Sequence, residues 1–106
     1  MNLTEKAKEQ FEKWLLDHEM HNQGGYNFDY PKWFSALHPS FQWGVYQDWA
    51  DSIGYHIETY IWYCMDDKNN YYGAEVRYQD ISDFNKTRQE ARNAAIEKLN
   101  ELINEK

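Results

Sequence analysis

Aromatic residues are concentrated in the middle of this chain of 106 residues. Fifteen of its nineteen Phe, Trp and Tyr residues lie between Tyr26 and Tyr72, where the only Lys or Arg residues are Lys32 and Lys68. Aromatic side chains dominate the energetics of protein cores and of protein interfaces. We therefore expect this segment to hold the fold together and to supply a recognition surface.

The net charge of −7 limits the classes of partner. Affinity for nucleic acids and anionic membranes comes from Lys and Arg side chains that neutralise phosphates, so neither is an expected target. Residues 22–70 carry two lysines against six acidic residues, which makes the aromatic segment the most acidic part of the chain. This balance suits a basic protein partner or mimicry of a nucleic acid's charge, and it is also what solubility requires.

Length and composition predict a single α+β domain over residues 1–106. Charged residues make up 27% and aromatic residues 18%, which is typical of a globular chain with a real core. Cys64 is the only cysteine, so no internal disulfide can form and a reducing compartment is expected. The opening residues lack the apolar run of a signal peptide, so none is expected, and no segment has the roughly 20 apolar residues that span a membrane. We expect a cytoplasmic protein that does not enter a membrane.

Helical spacing of apolar residues predicts the first two helices. Residues 3–18 carry an apolar stripe, with Asn2 as the expected N-cap. A second, central helix begins at Pro39, turns Trp49 toward the core and ends at Gly54, where left-handed backbone is expected.

The second half of the chain predicts a hairpin followed by a helix. Residues 55–64 and 71–78 alternate in the manner of strands and are joined by a turn of Asp, Lys and Asn. Thr87 and Glu90 form a capping box that opens a helix reaching about residue 104.

These elements define an α+β fold of three helices and an antiparallel hairpin, with the C-terminal helix packed on the sheet. Residues 26–38 are expected to form a loop with a short helical turn at 32–36. A lone hairpin is marginally stable. A third strand from residues 26–30, or edge pairing in a homodimer, would relieve this weakness.

Two motifs carry a resemblance to a known group of proteins. They are QWGVYQDWADSIG at residues 42–54 and TRQEARNAAIEKLN at residues 87–100. Over residues 37–104 the chain resembles a group of short uncharacterised proteins from bacteriophages, prophages and gut bacteria. The resemblance implies a setting in mobile genetic elements, and it implies no activity and no site residues.

Residue types that carry chemistry are few. His18 and His21 lie three positions apart, whereas the zinc-protease helix needs two histidines four apart, and no third ligand is evident. Cys64 could act as a nucleophile with His38 or His56, but a free cysteine at a strand end usually packs as a small hydrophobe. We therefore predict no catalytic residue, no metal ligand and no cofactor.

The hairpin is expected to bring polar and aromatic residues together on one face of the sheet. If the other face packs on the helices, this face carries His56, Glu58, Tyr60, Trp62, Tyr71, Glu75 and Arg77. Trp and Tyr are typical anchors of protein interfaces, and aromatic rings also stack on bases. The alternative is that the aromatic segment 26–36 covers this face. The candidate partner-binding residues are Glu58, Tyr60, Trp62, Asp66, Asp67 and Tyr71.

Three functional hypotheses follow from these observations. The leading one is a non-enzymatic interaction protein of a mobile element, which inhibits a basic, nucleic-acid-handling protein of the host or the phage by occupying its surface. The second is a nucleic-acid or small-ligand binding module that uses the sheet aromatics. The third is a small enzyme.

Overall fold

The computed structural model describes residues 3–17 and 29–106, and over these residues it confirms the α+β fold class. The sheet is antiparallel, with its strands in the order β1-β2-β3. In chain order the elements are α1 (Glu5–Asp17), α2 (Tyr30–Ala36), α3 (Pro39–Ser52), β1 (Ile57–Cys64), β2 (Asn69–Val76), β3 (Gln79–Asn85) and α4 (Arg88–Asn104).

The C-terminal helix α4 packs across all three strands. Thr87 caps it as predicted, because the Thr87 hydroxyl oxygen accepts a hydrogen bond of 3.1 Å from the Glu90 backbone N–H. Ala91, Ala95 and Leu99 are fully buried, and the small alanines allow the helix to approach the sheet closely. Neither α4 nor any other helix within the described ranges is long and apolar enough to cross a membrane.

The core contains an aromatic cluster between the helices. Trp49 of α3 is fully buried, which confirms the predicted orientation of the central helix. The Phe11 ring of α1 lies 5.0 Å from that of Trp49, 4.9 Å from Tyr46 and 4.9 Å from Phe34. Gly54 follows α3 with φ of +82°, the left-handed conformation that its sequence position predicts.

The start of α1 is bound by residues from the other end of the chain. Asn100 accepts a hydrogen bond of 2.8 Å from the Thr4 N–H, and Asn104 accepts one of 2.9 Å from the Ala7 N–H. These side chains pair backbone N–H groups that a helix leaves unpaired at its N-terminus. The expected cap, Asn2, lies outside the described residues.

The segment before α3 is more helical than the sequence predicts. Asp29 caps α2 by accepting a 3.0 Å hydrogen bond from the Lys32 N–H, and Pro31 occupies the first turn, where its missing N–H has no cost. The predicted helical turn at 32–36 is therefore a seven-residue helix. Tyr30 belongs to this helix, and residues 26–28 of the candidate third strand lie outside the described residues.

The third strand of the sheet is β3, which the sequence does not predict. It follows β2 through a two-residue turn at Arg77 and Tyr78, whose φ angles of 55° and 66° are those of a type I′ turn. The predicted second strand consequently ends at Val76 and does not reach residue 78. The β2–β3 register shifts twice, which disturbs the alternation by which a strand is recognised.

Candidate partner-binding face of the sheet

The two faces of the sheet have different surroundings. α4 covers the face of Ile57, Ala74 and Val76, all of which are buried. α1 packs on α4, α2 packs on α1, and α3 contacts α4 and β1. In the part of the chain that the structure describes, no helix therefore lies across the opposite face.

We call this opposite face the acidic aromatic face. Pairing of β1 with β2 sets Glu58 opposite Glu75, Tyr60 opposite Gly73 and Trp62 opposite Tyr71. β3 adds two carboxylates and a ring. The residues of the face are Glu58, Tyr60, Trp62, Tyr71, Glu75, Asp80, Asp83 and Phe84.

Tyr60 crosses the sheet from β1 to β3. Its ring lies over Gly73, where a Cβ atom would overlap the ring, so only glycine leaves room for this side chain. The Tyr60 hydroxyl donates to Asp83 at 2.7 Å and reaches Asp80 at 3.1 Å. Burial of the hydroxyl, followed by these two carboxylates, raises the pKa of Tyr60 well above its usual range. The phenol therefore stays a neutral hydrogen-bond donor that lies within reach of both carboxylates.

Three rings form a cluster near the β1–β2 turn. The Trp62 ring lies 5.7 Å from that of Tyr71 and 5.1 Å from that of Phe84, and Tyr71 and Phe84 meet edge to face at 5.2 Å. The Trp62 indole N–H donates a 2.6 Å hydrogen bond to the Asp83 carbonyl, which fixes its orientation. Phe84 is 64% exposed, so the cluster presents an open apolar surface at its β3 side.

The turn carboxylates border this cluster. The Tyr71 hydroxyl donates to Asp67, and this hydrogen bond lowers the pKa of the Asp67 carboxyl and raises that of Tyr71. Asp67 also accepts from the Asn69 N–H at 3.1 Å, which orders the turn. Asp66 is exposed beside it. Asp67 therefore remains an anion at the edge of the ring cluster.

The structure brings together most of the residues that the sequence predicts for this face. Tyr60, Trp62 and Tyr71 lie side by side, and the described part of segment 26–36 does not cover them, because Phe34 of α2 packs on Phe11 and Tyr46 instead. Arg77 is not on the face: the strand ends before it, and its guanidinium lies 5.2 Å from the centre of the Tyr55 ring.

Sequence reasoning misses the contribution of β3 to the face. Asp80, Asp83 and Phe84 reach it only because of the unpredicted strand and its bulges. Gly73 offers the one signal that could have been used, since a glycine inside a strand often marks a close approach by another group. The strand positions that form the face include no Lys or Arg. Together, the rings and carboxylates suit a cationic side chain, which can stack on the rings while pairing with the carboxylates.

A second polar cluster joins the end of α3 to the start of β1. The His56 ring lies 3.1 Å from the Asp51 carboxylate and 3.2 Å from that of Glu58, and it stacks on Tyr78 at 4.9 Å. Hydrogen bonds to Glu58 and then to Asp51 raise the pKa of His56. Both ring nitrogens thus bind carboxylates, which links the two elements through a shared proton donor.

The two histidines that could activate Cys64 as a nucleophile, His38 and His56, both make hydrogen bonds to other groups. His56 is engaged by Asp51 and Glu58, and the Nδ1 atom of His38 accepts a 3.1 Å hydrogen bond from the Ser40 N–H at the start of α3. Within residues 3–17 and 29–106, no group of three or more His, Cys, Asp or Glu side chains could hold a metal ion. His18 and His21 lie outside the described residues.

Comparison of the chain with protein-family models, with curated proteins and with solved structures found no match.

Proposed function

We propose that this protein is a non-enzymatic binding protein whose acidic aromatic face docks onto a basic protein. The observation that carries the proposal is the combination on one uncovered face of a ring cluster, Trp62, Tyr71 and Phe84, with carboxylates on all three strands. Rigid aromatic anchors of this kind supply most of the binding energy at protein interfaces. The surrounding carboxylates would select a cationic partner and speed its association.

The alternative, a nucleic-acid binding sheet, uses the same rings for base stacking. It also requires a positively charged groove for the phosphates. Glu58, Glu75 and Asp80 occupy the positions where such a groove would lie, and they would repel the backbone of a nucleic acid. The charge of the face therefore favours a protein partner.

The biological setting of the proposal comes from the sequence. The resemblance of residues 37–104 to short phage and prophage proteins suggests a mobile element, and a basic target suggests a nucleic-acid-handling protein of the host or phage. We propose that the protein acts in the cytoplasm by occupying the surface of such a target.

Site-specific photo-cross-linking tests the proposed function. Phe84 and Phe41 are both exposed, at 64% and 68%, but only Phe84 belongs to the face. p-Benzoylphenylalanine at position 84 should capture a basic protein from an extract of the native host, and the same photo-reactive residue at position 41 should not. Capture from position 41 alone would contradict the proposal.

Two substitutions in this protein, each tested for binding to the captured target, then distinguish residues that anchor the complex from charges that speed its formation. Trp62→Ala should lower affinity by about 2 kcal/mol or more, mainly through faster dissociation. Glu75→Gln should slow association and flatten its salt dependence, whereas Glu97→Gln on the exposed side of α4 should change neither.

Electrophoretic shift assays with single-stranded and duplex DNA and RNA at low salt test the alternative. The wild-type protein should bind none of them. Clear binding that strengthens after Glu58→Gln and Glu75→Gln would replace the protein partner with a nucleic acid.

A further inference from the structure

β1 is an unpaired edge of the sheet. The strand order β1-β2-β3 leaves one free edge on β1 and one on β3. The pairing of β3 with β2 shifts in register twice, and β3 carries the charged residues Asp80 and Asp83. Bulges and charged side chains both discourage a further strand from pairing at an edge. β1 pairs with β2 over all eight of its residues without a shift, and it contains no Pro, no Lys and only one charged residue, Glu58. β1 is therefore the edge that remains open to a further strand.

The direction of the β1 backbone groups follows from its pairing. The Arg77 N–H donates a 2.7 Å hydrogen bond to the His56 carbonyl, one residue before the strand begins. Because antiparallel pairing alternates, the even-numbered residues of β1 bond to β2 and the odd-numbered residues point their N–H and C=O groups to the free edge. The Ile57 carbonyl agrees with this assignment, since it accepts a 3.2 Å hydrogen bond from the Gln47 side chain of α3.

Past Ile57, the free edge lacks backbone partners. Thr59, Ile61 and Tyr63 have no hydrogen bond to their outward groups from any residue the structure describes. Ile61 is 54% exposed and Tyr63 is 51% exposed, although both lie on the same face of the sheet as Ile57, which α4 covers at the start of the strand. The edge therefore combines unpaired backbone with uncovered apolar side chains, which is the form that a peptide completes by adding a strand.

The two sides of this edge differ in chemistry. On the α4 side an added strand would contact Ile61 and Tyr63, and on the other side it would contact Glu58 and Trp62 of the acidic aromatic face. Side chains alternate between the faces of a strand. The complementary segment therefore alternates apolar residues with Lys or Arg. A second copy of β1 fits less well, because it offers no cation and brings another net charge of −7 to the same place.

We infer that the basic partner contributes an extended segment of alternating basic and apolar residues, which pairs antiparallel with β1 as a fourth strand of the sheet. This inference rests on the proposed function, since it takes the partner to be basic. It adds the manner of binding and the sequence pattern that would be recognised.

Backbone methylation of a peptide tests the inference with the protein unchanged. The probe is a fluorescein-labelled eight-residue peptide that alternates Lys or Arg with Val or Ile, measured by fluorescence anisotropy. In an antiparallel strand, the residues whose side chains share a face with Ile61 and Tyr63 direct their N–H groups at β1. N-methylation of the apolar residues should therefore weaken binding at least tenfold, and N-methylation of the basic residues should leave it within twofold.

Several outcomes would overturn strand addition. If both methylated peptides bind as well as the parent and all three require Trp62, the face binds cations without adding a strand and the proposed function survives. If the parent peptide does not bind, strand addition is also excluded, and cross-linking from position 84 still decides the proposed function on its own.

A substitution at the edge gives an independent check. Ile61→Pro removes an outward N–H and no bond to β2, so the variant should keep its fold by circular dichroism and lose peptide binding at least tenfold. Ile61→Val is the matched control and should bind within about threefold of wild type. If sedimentation instead shows a dimer of the wild-type protein that Ile61→Pro dissociates, a second copy occupies the edge and the inference is overturned.

Discussion

The two ends of β1 show how differently the same residue types are used in this protein. At its start, which we call the helical end, Ile57 is 1% exposed beneath the helices. Four residues later on the same face, Ile61 is 54% exposed, because the β1–β2 hairpin continues past the start of α4. We call this part, residues 61–72, the hairpin tip. Arg88 of α4 lies 5.5 Å from the ring of Tyr72, the partner of Ile61, and marks the limit of coverage. The same residue type therefore stabilises the fold at one end of β1 and remains available for contact at the other.

The largest effect should come from the helices that cover the start of β1. Trp49→Ala removes a fully buried ring that contacts Phe11, and it should lower the free energy of unfolding by about 3–5 kcal/mol. Urea denaturation of the variant measures this loss. Phe41→Ala, in the same helix but 68% exposed, is the control and should change stability by less than about 0.5 kcal/mol. Equal losses at the two positions would show that the cluster around Trp49 is not the core.

The next effect concerns the close approach that shapes the acidic aromatic face. Gly73→Ala places a Cβ atom where the Tyr60 ring lies, so the ring must swing away from Asp80 and Asp83. We expect a loss of about 1–2 kcal/mol, measured by thermal or urea unfolding.

A double-mutant cycle identifies the cause of that loss. In a Tyr60→Ser background the ring is absent, so Gly73→Ala should be neutral or stabilising by about 0.5–1 kcal/mol. An equal cost in both backgrounds would mean that the backbone, and not the ring, requires glycine.

A similar or smaller loss is expected at the start of α4, where coverage of the sheet begins. Thr87→Ala removes the acceptor of the Glu90 N–H and should cost about 0.5–2 kcal/mol in urea unfolding. Thr87→Ser keeps the hydroxyl and should restore most of the loss. A Thr87→Ser variant no more stable than Thr87→Ala would argue against a capping role.

The smallest effect is a pH dependence at the helical end. Because Glu58 and Asp51 raise the pKa of His56, its protonation stabilises the folded state fully below the unfolded pKa of about 6.5. This contribution disappears as pH rises through the raised pKa of the folded protein. The side chain is 31% exposed, so solvent limits the contribution to about 0.2–1 kcal/mol. The stability difference between wild type and His56→Gln should shrink by that amount from pH 5.5 to pH 8. A stability difference that grows with pH would show that protonation of His56 destabilises the folded state, which contradicts the prediction.

How far the sequence predicts this structure depends on whether a feature is local. The cap at Thr87, the left-handed Gly54 and the orientation of Trp49 follow from neighbouring residues, and all three are confirmed. The β1–β2 hairpin follows from regular alternation, but its connection is the four residues 65–68 and not the predicted span of about six, because Asn69 and Asn70 already belong to β2. The alternation nevertheless predicts correctly that Tyr60, Trp62 and Tyr71 share one face, because a shift of two residues in the pairing leaves each side chain on the same side.

The features that the sequence does not predict depend on distant contacts or on broken periodicity. β3 combines Asp80, Ser82 and Asp83 with two bulges, so it has neither the composition nor the alternation of a strand. The overlap of Tyr60 with Gly73 requires a register that no single strand reveals. The N-terminus of α1 is bound by Asn100 and Asn104, about a hundred positions away, which local capping rules cannot anticipate.

The β2–β3 turn also gives the sheet an order of assembly. Left-handed backbone costs a residue other than glycine about 1–2 kcal/mol, and both Arg77 and Tyr78 adopt it. The Arg77 guanidinium lies over the Tyr55 ring and Tyr78 stacks on His56, and these contacts can offset the cost only after the start of β1 is in place. We therefore expect β1 and β2 to pair in the folding transition state and β3 to add afterwards. Ile81→Ala should then speed unfolding and leave the folding rate nearly unchanged, and a slower folding rate would mean that the turn closes early.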